Sequence, residues 1–217
     1  AVAQITGGIS TDRLKTYENY IEKSIESGEF PGVVSVIYRN GEVVHNKAFG
    51  YSNLKTKTPL TTDGRFYIQS MTKPIISVAF MMLYEEGHFL LTDPVSKYIP
   101  AFKDLKVAKS VDVGKDAETD SMKNEITIAN LLSHTAGLSH GLGGTLLDRD
   151  YAIAMYFKPH KTVQDRMNAM LELPLIGQPG EQWYYSAAPD VLSVLIEQFS
   201  GMSTNDFLQK RIFDPLE

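Results

Sequence analysis

Apolar and polar positions along this chain fall into three successive rhythms. Near the start, Leu14, Tyr17, Ile21 and Ile25 recur at helical spacing, which predicts an amphipathic helix closed before Pro31-Gly32. Val33-Val34-Ser35-Val36-Ile37-Tyr38 then reads as a strand, Asn40-Gly41 as a two-residue hairpin turn, and Glu42 to Phe49 as the returning strand. Phe66-Tyr67-Ile68 reads as one more short strand, and beyond it the pattern turns helical. Ile75, Ile76, Val78, Ala79, Met82 and Leu83 predict a helix that begins at Ser70, with Pro74 in its first turn, where a missing N–H does least harm.

Residues 126–133, 162–173, 189–199 and 203–213 carry further helix patterns. Ser203 with Asp206 approximates a capping box, and Asp214-Pro215 reads as the stop of the last helix. A short aromatic strand over Trp183-Tyr184-Tyr185 is expected between the Pro179-Gly180 turn and the helix at Pro189. The charged stretch Lys103–Glu125 and the glycine-rich Gly141–Gly144 read as surface excursions.

This order gives an α+β chain: a helix and the start of a sheet over 1–65, then a mainly helical lobe over 66–217. A lone hairpin is marginal and wants neighbours, and 126–217 offers no further strands. The expectation is therefore an incomplete sheet, finished by a missing C-terminal portion acting as a second polypeptide, with an exposed edge where that portion belongs.

Composition removes several classes of function. A chain of 217 residues suffices for one substantial domain or part of a larger one. The net charge of −5 gives no reason to expect nucleic acid or anionic membrane as partner. No apolar run approaches the ~20 residues a membrane span needs. Without cysteine, disulfides, thiolate zinc sites and a cysteine nucleophile are excluded. The five histidines lack H-E-x-x-H or comparable spacing, so neither metal nor cofactor is expected. Ala1-Val2-Ala3-Gln4, with no initiator Met, suits a processed end and hence a periplasmic or secreted protein.

The candidate chemistry is Ser70-Met71-Thr72-Lys73. At a helix start, a hydroxyl and an ammonium three residues apart share one face. Unpaired N–H groups and the helix dipole there stabilise the oxyanion formed when serine attacks a carbonyl, while an amine alongside can take the proton. A serine in that place also caps helices, so the motif alone does not decide. Ser52-Asn53-Leu54-Lys55 has the same pattern but lies before the polar Thr56-Lys57-Thr58-Pro59, where a loop is expected.

Four segments, in order, strengthen the reading: Ser70-Met71-Thr72-Lys73, Leu91-Thr92-Asp93-Pro94-Val95, Leu131-Leu132-Ser133-His134-Thr135-Ala136-Gly137-Leu138, and Pro179-Gly180-Glu181 through Tyr185-Ser186. With them, and with Ile212-Phe213-Asp214-Pro215-Leu216 at the end, the chain resembles the serine β-lactamase and penicillin-binding-protein superfamily, most closely class C β-lactamases and family VIII carboxylesterases. The resemblance implies a β-lactamase/transpeptidase-like fold, an antiparallel sheet flanked by helices plus a helical lobe.

It also implies Ser70 as nucleophile, Lys73 as its proton partner and Tyr185 as a second general acid/base. Free lysine and tyrosine titrate near ~10, so one of them must be shifted to serve as base, and either can be. Tyr184 competes with Tyr185, but neighbouring strand residues face opposite ways, and Tyr185 fits the family's Tyr-Ser pattern. In this family the His134 segment is structural, and Asp190 supports the start of its helix.

Two departures stand out. Ala187 occupies the place of the asparagine that binds an acylamino group in penicillin-recognising members, which shifts the expectation toward esters. The late Lys/His-x-Gly strand that supplies an oxyanion N–H has no counterpart before Glu217. The expected function is a serine hydrolase that forms an acyl-enzyme on Ser70 and cleaves a short-chain ester, a β-lactam or a D-amino peptide. The competing reading is a non-catalytic scaffold or binding module of the same shape.

Overall fold

The computed structural model describes residues 5–216. Ala1–Gln4, read above as a processed end, lie outside the described residues. The chain forms two compact units, Ala1–Ile68 and Gln69–Glu217.

In the first unit, β1 (Ile5–Thr6) pairs antiparallel with β2 (Ile9–Ser10), and α1 (Thr11–Glu26) follows, with Ser10 as its cap. Strands β3 (Gly32–Arg39) and β4 (Glu42–Asn53) form the expected hairpin, and β5 (Thr58–Pro59) adds a short third strand beside β4. Asn40 and Gly41 both have positive φ (52° and 83°), the conformation that matches a tight turn to the twist of its strands. At the open end of the hairpin Gly32 pairs with Gly50, and a Cβ on Gly32 would sit 2.8 Å from the Tyr51 carbonyl oxygen. Ile21 on α1 and His45 on β4 are buried, and the Tyr17 hydroxyl lies 2.7 Å from Ser35 Oγ. On the other face of the hairpin Val36, Tyr38 and Val43 are exposed, and β3 forms an open edge among the described residues.

The second unit holds the main core. Helix α2 (Thr72–Glu85) buries Ile76, Ala79, Phe80 and Leu83 at helical spacing. Two surface strands, β6 (Lys106–Ala108) and β7 (Thr119–Ser121), precede α3 (Ile128–Leu132), α4 (Leu146–Tyr156) and α5 (Val163–Leu171). Helix α6 (Ala188–Ser200) buries Val191, Leu192, Leu195 and Ile196 and packs against α2, α3, α5 and α7 (Thr204–Leu208). Pro189 enters its first turn, and Gly201 at φ 68° ends it. A π-helical turn (Gln209–Phe213) leads from α7 into α8 (Asp214–Leu216).

Several expectations need correction. Phe66-Tyr67-Ile68 is no strand: the three side chains are 55%, 88% and 41% exposed and no described strand lies beside them. β-Rich composition makes a strand only where a ladder and a packed face exist. Helix α2 begins two residues after Ser70, and Val78 points outward while Phe80 fills the core. Residues 183–185 are irregular rather than a strand. Asp214-Pro215 does not stop the last helix, because the π turn resets the register and Pro215 falls in the first turn of α8, where no N–H is needed. The stretch Lys103–Glu125 is not wholly a surface excursion, since Leu105 and Val107 are buried and Leu175 bonds to both sides of Val107. Helix α4 adds an element beyond the predicted helices, started by a full capping box of Thr145 and Asp148.

Candidate active site

Ser70 lies in a 3₁₀ turn, Gln69–Met71, that feeds α2. The helix cap is Met71, whose side chain makes no capping bond, so Ser70 is not the cap. Gln69 enters the turn at φ 49°, a left-handed conformation that costs a non-glycine residue about 1–2 kcal/mol. Such strain is held only where the surroundings dictate it. The turn leaves Ser70 exposed, and Lys73 Nζ donates to Ser70 Oγ at 3.3 Å. Burial of Ile76 and Phe80 one and two turns on fixes the helix that carries both groups.

Tyr185 arrives from a different part of the chain. The segment 176–187 runs along 134–139, tied by N–H donors of Ile176 to Gly137 O (2.8 Å), Gly180 to Thr135 O (2.8 Å), Tyr184 to His134 O (2.8 Å) and Ala187 to Ser139 O (3.2 Å). This irregular strapping, rather than a strand pleat, turns the two tyrosines apart. Tyr184 packs on Gly177, where a Cβ would come within 2.6 Å of its ring, and its hydroxyl donates to Gln182 Oε1 at 2.7 Å. Tyr185 faces the serine and lysine, with Lys73 Nζ 4.7 Å from its ring centroid. The Ser70 hydroxyl is the main cause that holds the phenol below the usual tyrosine range; burial opposes it, and the hydrogen bond and charge of Lys73 add to the lowering.

Two histidines flank that phenol: His134 with ring centroids 5.0 Å away and His140 at 4.9 Å, the latter edge-on. Burial, reinforced by the Lys73 charge, lowers both imidazole pKa values. His134, at φ 58°, is itself left-handed. Its Nδ1 lies 2.9 Å from Ser186 Oγ and accepts the Ser186 N–H at 3.3 Å. Trp183, the sole tryptophan, is 64% exposed and stacks 6.1 Å from Tyr185.

Asp190 stands in the first turn of α6 as expected, but its carboxylate faces Arg166 Nε on α5 at 3.5 Å. Burial raises the Asp190 pKa, against the pull of Arg166 and Lys73. The Leu91–Val95 motif is architectural. Asp93 Oδ2 accepts from the Tyr98 hydroxyl (2.5 Å), the Leu90 N–H (2.9 Å) and Lys97 Nζ (3.1 Å). Its backbone meanwhile receives the Ile128 N–H at 3.0 Å and so seats α3 ahead of His134.

Sequence reasoning named Ser70, Lys73 and Tyr185, and the structure brings the three together. It missed His140, whose loop is shaped by Asp148. That carboxylate accepts from Ser139 Oγ (2.5 Å) and Thr145 Oγ1 (2.7 Å), and a Cβ on Gly143 would lie 2.1 Å from it. The Thr145-x-x-Asp148 capping pattern was the available signal for this loop. Among the described residues no group of three or more His, Asp or Glu gathers to hold a metal, and no helix is long and apolar enough to cross a membrane.

Comparison with known proteins identifies the family. Residues 17–217 match the family described as Beta-lactamase. The chain is 26% identical to Esterase EstB of Burkholderia gladioli, over 90% of its own length and 47% of that protein. It is 30% identical to Lovastatin esterase of Penicillium rubens, over 90% of its length and 49% of the relative's. The solved structure of EstCE1, described as a hydrolase with promiscuous acyltransferase activity, superposes with a TM-score of 0.77 at 28% identity, covering 94% of this chain and 51% of that one. The chain thus spans about half the length of the curated relatives it matches, and none of these findings points to a second polypeptide as partner.

Proposed function

Because this chain belongs to the Beta-lactamase family, we propose that it carries the nucleophilic machinery of a serine hydrolase working through an acyl-enzyme on Ser70. The observation that carries the reading is the meeting of Ser70, Lys73 and a phenol shifted toward ionisation. Lys73 donates to Ser70 Oγ, which leaves the shifted Tyr185 phenol as the acceptor for the serine proton in this reading. Tyr185 is then the base. Its oxygen takes the serine proton as Oγ attacks the carbonyl carbon, and the same phenol returns that proton to the leaving group. Water repeats the sequence on the acyl-enzyme.

The substrate class proposed is a short-chain ester. Ala187, 5% exposed and without a polar side chain, offers no amide to an acylamino group, and its own N–H is committed to Ser139 O. This favours esters over β-lactams and D-amino peptides, in keeping with the esterase relatives.

Intact mass after exposure to a fluorophosphonate tests the reading. The wild-type chain should gain one adduct, on Ser70, and Ser70→Ala should gain none. A wild-type chain that stays unmodified would instead leave the non-catalytic scaffold reading standing.

A further inference from the structure

We propose that His134 and His140 are positioning residues that clamp the Tyr185 phenol against Lys73 and Ser70, and that His134 closes the clamp only while its Nδ1 accepts hydrogen bonds from Ser186. The proposal extends the serine-hydrolase reading, from which its consequence for Ser70 follows.

The hydrogen-bond directions can be assigned from the atoms. Ser186 Oγ accepts the Ala188 N–H at 3.3 Å, and the Ser186 N–H donates to His134 Nδ1 at 3.3 Å. With Nδ1 already an acceptor, the Ser186 hydroxyl at 2.9 Å donates to it as well, and the ring proton of neutral His134 sits on Nε2. Ser186 is only 1% exposed, so its two donors have no water to turn to. The Tyr184 N–H bonds to the His134 carbonyl, so both neighbours of Tyr185 are fastened to one residue. That residue holds a left-handed backbone, a strain consistent with a dictated position.

His140 meets the Tyr185 ring edge-on at 4.9 Å. Its loop is fixed by Ser139 and Thr145 bonding to Asp148, by the Tyr156 hydroxyl donating to the His140 carbonyl at 3.0 Å, and by Gly141, where a Cβ would meet Ala152 N at 2.6 Å. Tyr185 is thereby in contact with two imidazoles, with the Lys73 ammonium against its ring.

Protonating His134 turns Nδ1 into a donor facing the Ser186 N–H. The lock opens, and a second positive charge appears near Lys73. The charged and titratable groups that act on the two rings are Lys73 on α2, Asp148 on α4, the other imidazole in the case of His134, and the Tyr185 ring in contact with both; Arg166 on α5 and Asp190 on α6 act on Tyr156, whose hydroxyl bonds to the His140 carbonyl. Burial and Lys73 hold His134 below the ordinary imidazole range, so the clamp is closed at neutral pH and is lost as pH falls through that lowered value.

The test follows two readouts against pH in the 1–217 chain: the rate of fluorophosphonate labelling, and the fluorescence of Trp183, whose ring lies 6.2 Å from His134. Wild-type protein should show one acid-side step in both, at the same midpoint. In a His140→Phe background, which removes the other imidazole of lowered pKa, His134→Asn, whose amide oxygen can accept from Ser186 and whose backbone tolerates positive φ, should remove that step from both readouts. His140→Ala should slow labelling on the order of 10²-fold, the cost of a misplaced reacting group, and move the alkaline midpoint upward; His140→Phe should restore both. Thermal unfolding of each variant separates loss of fold from loss of positioning.

An acid-side step that persists in His134→Asn with His140→Phe, or a folded His140→Ala that labels with wild-type rate and midpoint, overturns the clamp. If wild type is never labelled but keeps the fluorescence step, the hydrolase reading fails and the Ser186 lock survives. If wild type is labelled without any fluorescence step, the lock fails and the hydrolase reading survives.

Discussion

Each of the two units contains one Ser-x-x-Lys, and the difference between them shows what makes the pattern chemical. Ser52 ends β4 and donates toward the carbonyls of Thr58 (3.3 Å) and Pro59 (3.4 Å), while the backbone of Lys55 bonds to Asn53 Oδ1. That serine is used up in closing a turn. Ser70 stands in a strained turn before a helix anchored in a core, with Lys73 and Tyr185 converging on it. The units differ in the same sense. Among described residues the large buried hydrophobic cluster belongs entirely to the second unit, whereas the first buries Ile21 and three polar residues, Ser24, Ser35 and His45. A reactive group needs a rigid platform, and only one of the two units has a core large enough to supply it.

The sharpest way to break this comparison is to remove each serine. Ser70→Ala should abolish covalent labelling, whereas Ser52→Ala should leave it intact; an adduct on Ser52 would reverse the assignment. Next, Tyr185→Phe should slow labelling by ~10²–10⁴-fold, the usual range for a lost general acid/base, while Tyr184→Phe, which breaks only a bond to Gln182, should change it little. Equal effects would make Tyr185 a packing residue.

The contrast in cores is tested by stability. Phe80→Ala, at a fully buried position, should cost about 3–5 kcal/mol in urea unfolding, while Val36→Ala, 57% exposed on the hairpin, should stay within about 0.5 kcal/mol. Helix caps should show a smaller difference. Thr162→Ala removes the centre of a full capping box and should cost about 1 kcal/mol, more than Ser10→Ala, whose single bond to the Arg13 N–H is 3.4 Å long.

The smallest effect concerns pH. Hydrogen bonds from Tyr98, Leu90 and Lys97 hold the Asp93 carboxyl at about 2, below its value in an unfolded chain. The stabilisation is present above the unfolded value and fades as pH falls through the folded one. The gap in melting temperature between wild type and Asp93→Asn should therefore be open at neutral pH and narrow progressively below ~4. A gap that does not change with pH would mean that Asp93 acts by shape alone.

How much was legible depended on how local the cause was. Asn40-Gly41 specified its turn because both residues tolerate positive φ. The face of α1 and most of the helices after Ser70 followed from the 3.6-residue repeat. Phe66–Ile68 departs from its strand pattern because a strand depends on a neighbour that no local pattern reveals. Helix α4 follows the glycine-rich Gly141–Gly144, and its local signal is the Thr145-x-x-Asp148 cap rather than an apolar repeat.

The sequence by itself determined the α+β order, the hairpin, and the candidacy of Ser70, Lys73 and Tyr185, the last through family likeness. Tertiary structure alone decided that Ser70 is no cap, that Tyr184 turns away, and that His134 and His140 enclose the phenol. The reason is physical. Turn chemistry and helical periodicity act between residues a few positions apart, but the environment of Tyr185 is made by distant groups, His134 and His140 in one segment and Ser70 and Lys73 in another, brought together by the packing of α2, α3, α5 and α6.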